Sequence, residues 1–66
     1  MELNDKQKKI LEVLKDGELA ISKIAFLISS NTYVVEVQLE ELLQNGLVVF
    51  EKRNNATYWK IKEEEW

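Results

Sequence analysis

Lys52, Arg53, Lys60 and Lys62 stand within residues 51–62, where Glu51 is the sole carboxylate, so this short segment carries a net charge of +3. The pair Asn54-Asn55 lies between them. Ammonium and guanidinium groups are the side chains that neutralise phosphate oxygens, and amides at a loop tip can enter a minor groove or lie along a nucleic-acid backbone. The plainer use of the same residues is a solvated basic hairpin whose charges keep an edge strand from pairing with other chains.

The remaining charge is distributed unevenly. Residues 1–26 balance five Lys against five acids, whereas residues 27–50 hold Glu36, Glu40 and Glu41 and no base. The tail Glu63-Glu64-Glu65 brings the sum to −3. Nucleic-acid binders usually present a basic face, so the sum argues mildly against that class and the local +3 argues for it. With no His and no Cys, the common acid–base and nucleophile sets are missing, as are disulfides and the usual zinc sites. Glu40-Glu41 and the tail are neighbouring carboxylates on solvated segments, and no glycine-rich phosphate loop or metal-ligand cluster is present. The expectation is a protein that is not an enzyme and holds no cofactor and no metal. No stretch approaches the ~20 apolar residues of a bilayer span and the start lacks a signal-peptide pattern, so no membrane is involved and a cytoplasmic location is expected. Asn55-Ala56-Thr57 fits a glycosylation acceptor, a chance match in a chain that is not secreted.

At 66 residues a single domain, 1–66, is expected. Chains this small seldom bury enough apolar surface for comfortable stability, and with no staples available a homodimer is the remaining route. Helix 1 is expected over 5–16, with Asn4 as cap, Gln7 completing a capping box, and Ile10, Leu11 and Leu14 facing inward. Gly17 suits the residue after it. Glu18-Leu19-Ala20 is an extended link with room for one minor strand. Ile21, Ile24, Ala25 and Ile28 recur at i, i+3, i+4, i+7, which places helix 2 over 21–28. Val35, Leu39, Leu42 and Leu43 repeat that spacing after Ser29-Ser30-Asn31, giving helix 3 over 32–45 with Asn31 as cap and Gly46 as its exit. Two helices joined by so short a turn must cross steeply, as in a helix-turn-helix, and this points to nucleic acid. After Gly46 the period becomes two. The segments 47–52 and 57–62 are rich in β-branched and aromatic residues around Arg53-Asn54-Asn55-Ala56, a hairpin with Trp59 and Ile61 inward and Tyr58, Lys60 and Lys62 outward. Residues 63–66 form an acidic tail.

The order helix, helix, helix, hairpin resembles the winged helix-turn-helix family of MarR-like and ArsR-like small regulators. The resemblance covers roughly residues 5–62. It rests on I-S-x-I-A at Ile21 to Ala25, V-x-x-x-L-x-x-L at Val35 to Leu42, and Asn45-Gly46-Leu47-Val48 leading into the wing. It implies a mainly α fold with a β-hairpin: three helices followed by a two-stranded wing over 47–62. It also implies that helix 3 lies in the major groove of duplex DNA.

Mapped onto this chain, the outward positions of helix 3 are Thr32, Tyr33, Val34, Glu36, Val37, Glu40, Glu41 and Gln44. Base readout wants Arg, Lys, Asn or Gln, and this face has no cation. Each Glu brought within 4 Å of a phosphate costs ~1 kcal/mol in water and several times that when desolvated. The contacts left to helix 3 are Thr32 and Tyr33 to phosphate, with Gln38 (half inward) and Gln44 as candidate base readers. The wing residues Lys52, Arg53, Asn54, Asn55, Lys60 and Lys62 complete the candidate DNA-binding set. The same helix face is apolar at Val34 and Val37, and Phe26 fills a helix 2 position that the family usually makes polar. If these adjoin, they form a surface for a protein partner or a second subunit; a helix phase off by one would instead place some of them in the core. Trp66 is grouped with them, its placement open. Two readings follow: a small transcription regulator gripping duplex DNA as a homodimer, or a winged-helix protein-interaction module that uses the acidic and apolar helix 3 face without DNA.

Overall fold

Local capping chemistry starts the two long helices. Asn4 accepts the Gln7 N–H at 2.8 Å on its Oδ1 while its own N–H donates to Gln7 Oε1 at 3.0 Å, a capping box that opens α1 (Asp5–Leu14). Asn31 Oδ1 likewise takes the Val34 N–H at 2.8 Å and opens α3 (Thr32–Gln44). Between them lie β1 (Leu19–Ala20) and α2 (Ile21–Leu27), and after them β2 (Val48–Arg53) and β3 (Ala56–Ile61). The computed structural model describes residues 2–62; Trp66 and the acidic tail lie outside the described residues.

α1 ends at Leu14 and α2 at Leu27, two residues and one residue before their expected ends at 16 and 28. The reason at α2 is Ser29, whose φ of +55° is left-handed; the Ser30 N–H then donates back to Ala25 O at 2.9 Å. A serine thus occupies the position where a helix exit usually prefers glycine. At the end of α3 glycine does fill that position: Gly46 has φ +74°, and the Leu47 N–H reaches Leu42 O at 3.0 Å.

The three helices close over Ile10, Leu14, Ile24, Ala25, Ile28, Val35, Leu39 and Leu42, joined from the sheet by Val48 and Trp59. Gln7 is the buried polar side chain of this set; its Nε2 has no partner among the described residues. The sheet is wider than the expected hairpin. Its order is β1-β3-β2, all antiparallel, so the short link before α2 pairs as a third strand, Leu19 opposite Trp59 and Ala20 opposite Tyr58. β3 is therefore central, and Trp59 is held from both sides, with Phe50 opposite it and ring centroids 5.1 Å apart. The wing turn is the two-residue Asn54-Asn55, φ +50° and +67°, the doubly left-handed turn whose twist matches a hairpin. Among the described residues, no helix is long and apolar enough to cross a membrane.

Two substitutions should move stability in opposite directions in urea denaturation followed by circular dichroism. Leu39→Ala empties a fully buried site and should cost about 2–5 kcal/mol. Ser29→Gly relieves the left-handed backbone and should add roughly 0.5–1 kcal/mol; a loss there would mean that the serine side chain has a structural task of its own.

Candidate nucleic-acid interface

The wing does not present its four cations as one patch. Residues opposite one another in the antiparallel ladder share a face, and neighbours along a strand alternate. Lys52, opposite Thr57, therefore shares a face with Phe50 and Trp59. Arg53 and Lys60 share the other face with Glu51 and Tyr58, and Lys62 lies just beyond the end of β3.

Arg53 differs from the others in being committed. Its guanidinium lies over the Tyr58 ring, 4.6 Å from the centroid, and reaches across the central strand to the carboxylate of Glu18, beside β1. Its Nε also stands 3.6 Å from Glu51 Oε2. The hydrogen bond to Glu18, with the fields of Glu18 and Glu51, raises the Arg53 guanidinium above its ordinary value. The group is cationic at any working pH with or without this shift, so what matters is its partial neutralisation. Among the described residues, Lys52, Lys60 and Lys62 are in no ion pair and are exposed. Asn54 and Asn55 are exposed at the tip.

On α3 the outward set separates into two groups. Thr32, Tyr33, Glu36, Val37, Glu40, Glu41 and Gln44 are exposed, while Val34 and Gln38 are half-buried. Gln38 accepts a 3.1 Å hydrogen bond from Asn4 Nδ2 on its Oε1, so its amide braces the start of α1 and is no free base reader. Val34 likewise offers less surface than its helix position suggested. Tyr33 (73% exposed) and Val37 (45%) line a shallow outer groove with Glu36 and Glu40. Phe26 is 76% exposed, yet it lines no part of that groove; the Lys23 ammonium sits over its ring, 5.7 Å from the centroid. Tyr33 and Val37, and not Phe26 or Val34, line that groove. Leu27, also exposed at 45%, was not a candidate from the sequence, because it lies off the stripe of Ile21, Ile24, Ala25 and Ile28 and nothing else marked it.

No family model matches the sequence, and no curated protein matches it. Solved structures do. The homodimeric winged helix-turn-helix DNA-binding domain of a possible ArsR-family transcriptional regulator from Mycobacterium bovis superposes with a TM-score of 0.84 at 29% identity, over 88% of this chain and 54% of that one. The transcriptional regulator HlyU of Vibrio vulnificus gives 0.86 at 24% identity, over 92% and 64%. The adhesin competence repressor of Streptococcus pyogenes gives 0.89 at 20% identity, over 94% and 48%. The chain has a winged helix-turn-helix fold, that of ArsR- and MarR-type regulators, and it spans about half to two thirds of the length of these neighbours.

Arg53 should behave as a tethered side chain. In NMR relaxation its Nε–H order parameter should be high and should fall on Glu18→Gln; an equally mobile Nε–H in both proteins would contradict the tether.

Proposed function

We propose that this chain is a small transcription regulator that grips duplex DNA through its wing and the N-terminal end of α3, working as a homodimer. The observation that carries this reading is the wing: on a fold shared with a DNA-binding domain at 29% identity, Lys52, Lys60 and Lys62 are exposed and unpaired among the described residues. Lys60 and Lys62 neutralise phosphates from one face of the hairpin and Lys52 from the other, so the wing straddles a backbone. Asn54 and Asn55 reach the groove edge from the tip. Thr32 and Tyr33 donate to phosphate where the helix N-terminus favours an anion. Gln44 is the remaining candidate base reader, and Arg53 contributes only as far as Glu18 releases it. The molecule measures 35 × 33 × 20 Å. A homodimer would set its two α3 elements about one DNA turn, roughly 34 Å, apart on a pseudo-palindromic site.

A second reading has one observation in its favour: the exposed face of α3 combines Glu36, Glu40 and Glu41 with Tyr33 and Val37, and carboxylates facing phosphate oppose the usual groove-filling role. On that reading α3 docks a protein.

A duplex titration by fluorescence anisotropy across a salt series separates the two. DNA gripping predicts low-salt binding to mixed sequence that fades as salt rises. Lys52→Ala with Lys60→Ala should weaken it for all sequences alike and flatten the log–log salt slope by roughly 2. Glu18→Gln, by freeing Arg53, should tighten binding. Asn54→Gly with Asn55→Gly keeps the turn while deleting both amides, so weaker binding at unchanged thermal stability would assign them to the DNA. No binding at any salt would leave only the second reading.

A further inference from the structure

α1 and the end of α2 enclose an open cleft of about 510 Å³ lined by Lys8, Lys9, Glu12, Val13, Leu27, Ile28 and Ser29. Its apolar wall is Leu27 and the half-buried Val13, and its rim carries Lys8 and Lys9. The carboxylate in it, Glu12, is already answered by Lys15 at 3.0 Å, which leaves the two lysines as the cleft's uncompensated charge. The outer groove of α3 is its complement in both respects: Tyr33 and Val37 exposed, flanked by Glu36 and Glu40. Both features are unpartnered in the single chain.

We propose that the α1–α2 cleft receives the acidic, apolar outer face of α3 from a second copy of this chain, a head-to-tail contact between unlike surfaces. Tyr33 and Val37 pack on Leu27 and Val13, removing apolar surface from water. Lys8 and Lys9 meet Glu36 and Glu40 around that contact, where partial desolvation strengthens them relative to exposed pairs. Pairing α3 with α3 would oppose like charges. The wing offers a poorer seat: the hollow at its tip, lined by Lys52, Arg53, Asn54, Asn55 and Thr57, has no large apolar side chain. The hollow beside Lys15 and Lys60 has Leu14, only 2% exposed, and the half-buried Ile61 as its apolar lining, and at about 310 Å³ it is smaller than the α1–α2 cleft. Because the two surfaces differ, the contact is distinct from the two-fold pairing that a pseudo-palindrome requires, and successive copies can add. The proposal rests on α3 as a protein-docking face; it leaves the wing free for DNA, while Tyr33 serves either the second copy or a phosphate, not both at once.

Sedimentation velocity of the full chain at low salt, without DNA and over a wide concentration range, tests it. The parent should self-associate, and added salt should weaken the association. Glu36→Lys with Glu40→Lys, and separately Lys8→Glu with Lys9→Glu, should each weaken it by about tenfold or more. An equimolar mixture of the two variants should regain the parent's association, because each supplies the face that the other has lost. Lys60→Glu should leave association unchanged. Circular dichroism checks the folding of each variant; if a double reversal unfolds, Glu40→Lys and Lys9→Glu carry the same mixing test. A parent that stays monomeric throughout overturns the proposal. So does association indifferent to both reversals, a mixture that stays dispersed, or dispersal by Lys60→Glu. The wing's grip on DNA is scored separately, by Lys52→Ala with Lys60→Ala in the duplex titration.

Discussion

The rotation of α3 about its own axis decides what this molecule can touch. Val35, Leu39 and Leu42 are wholly excluded from solvent, each about one helical turn from the next, and together they commit one side of the helix to α1 and α2. Turning α3 by one residue would move these three side chains towards water and put Glu36 and Glu40 into the core. Each apolar side chain so exposed would forfeit about 1.5–3 kcal/mol, and each buried carboxylate would need a partner that the core does not hold. The acidic outer face is therefore the obligatory reverse of the packing that makes the domain fold.

That constraint divides the labour between the two halves of the chain. The helical half supplies rigidity, and its exposed α3 surface repels phosphate along most of its length. The sheet half supplies cations, but the pleat distributes them over both faces of the wing. The central strand β3 links the halves: Trp59 packs at a tilt against Phe50 and enters the core, while Tyr58 on the other face carries Arg53 across to Glu18. Arg53 thus acts as a clasp between the wing and the strand before α2. That contact offsets part of the wing's positive charge.

Much of this was legible in the chain because it is local. The period-3.6 stripes marked the helices, Asn4 with Gln7 marked a capping box, Asn54-Asn55 marked the tight turn, and alternation placed Trp59 inward and Lys60 outward. What escaped depends on residues far apart in sequence. Glu18 and Arg53 meet 35 positions apart, Asn4 and Gln38 meet 34 apart, and β1 is too short to announce that it pairs with β3. α2 ends one residue before the expected Ile28, since Ser29 gives no glycine-like signal for a left-handed exit, and nothing in the apolar spacing singled out the exposed Leu27. Phe26, singled out from the sequence as an apolar side chain at the surface, is 76% exposed, with the Lys23 ammonium of its own helix over its ring.

The most direct measurement is an amide NMR titration of the full chain with a mixed-sequence duplex at low salt. DNA seated on the wing and the start of α3 moves the signals of Lys52 to Lys60 together with Thr32 and Tyr33, and leaves those of Glu36 to Glu41 nearly still. Shifts centred on Glu36 to Gln44, with the wing unmoved, would contradict the division between a gripping wing and a withheld helix; a spectrum that never changes would remove DNA altogether.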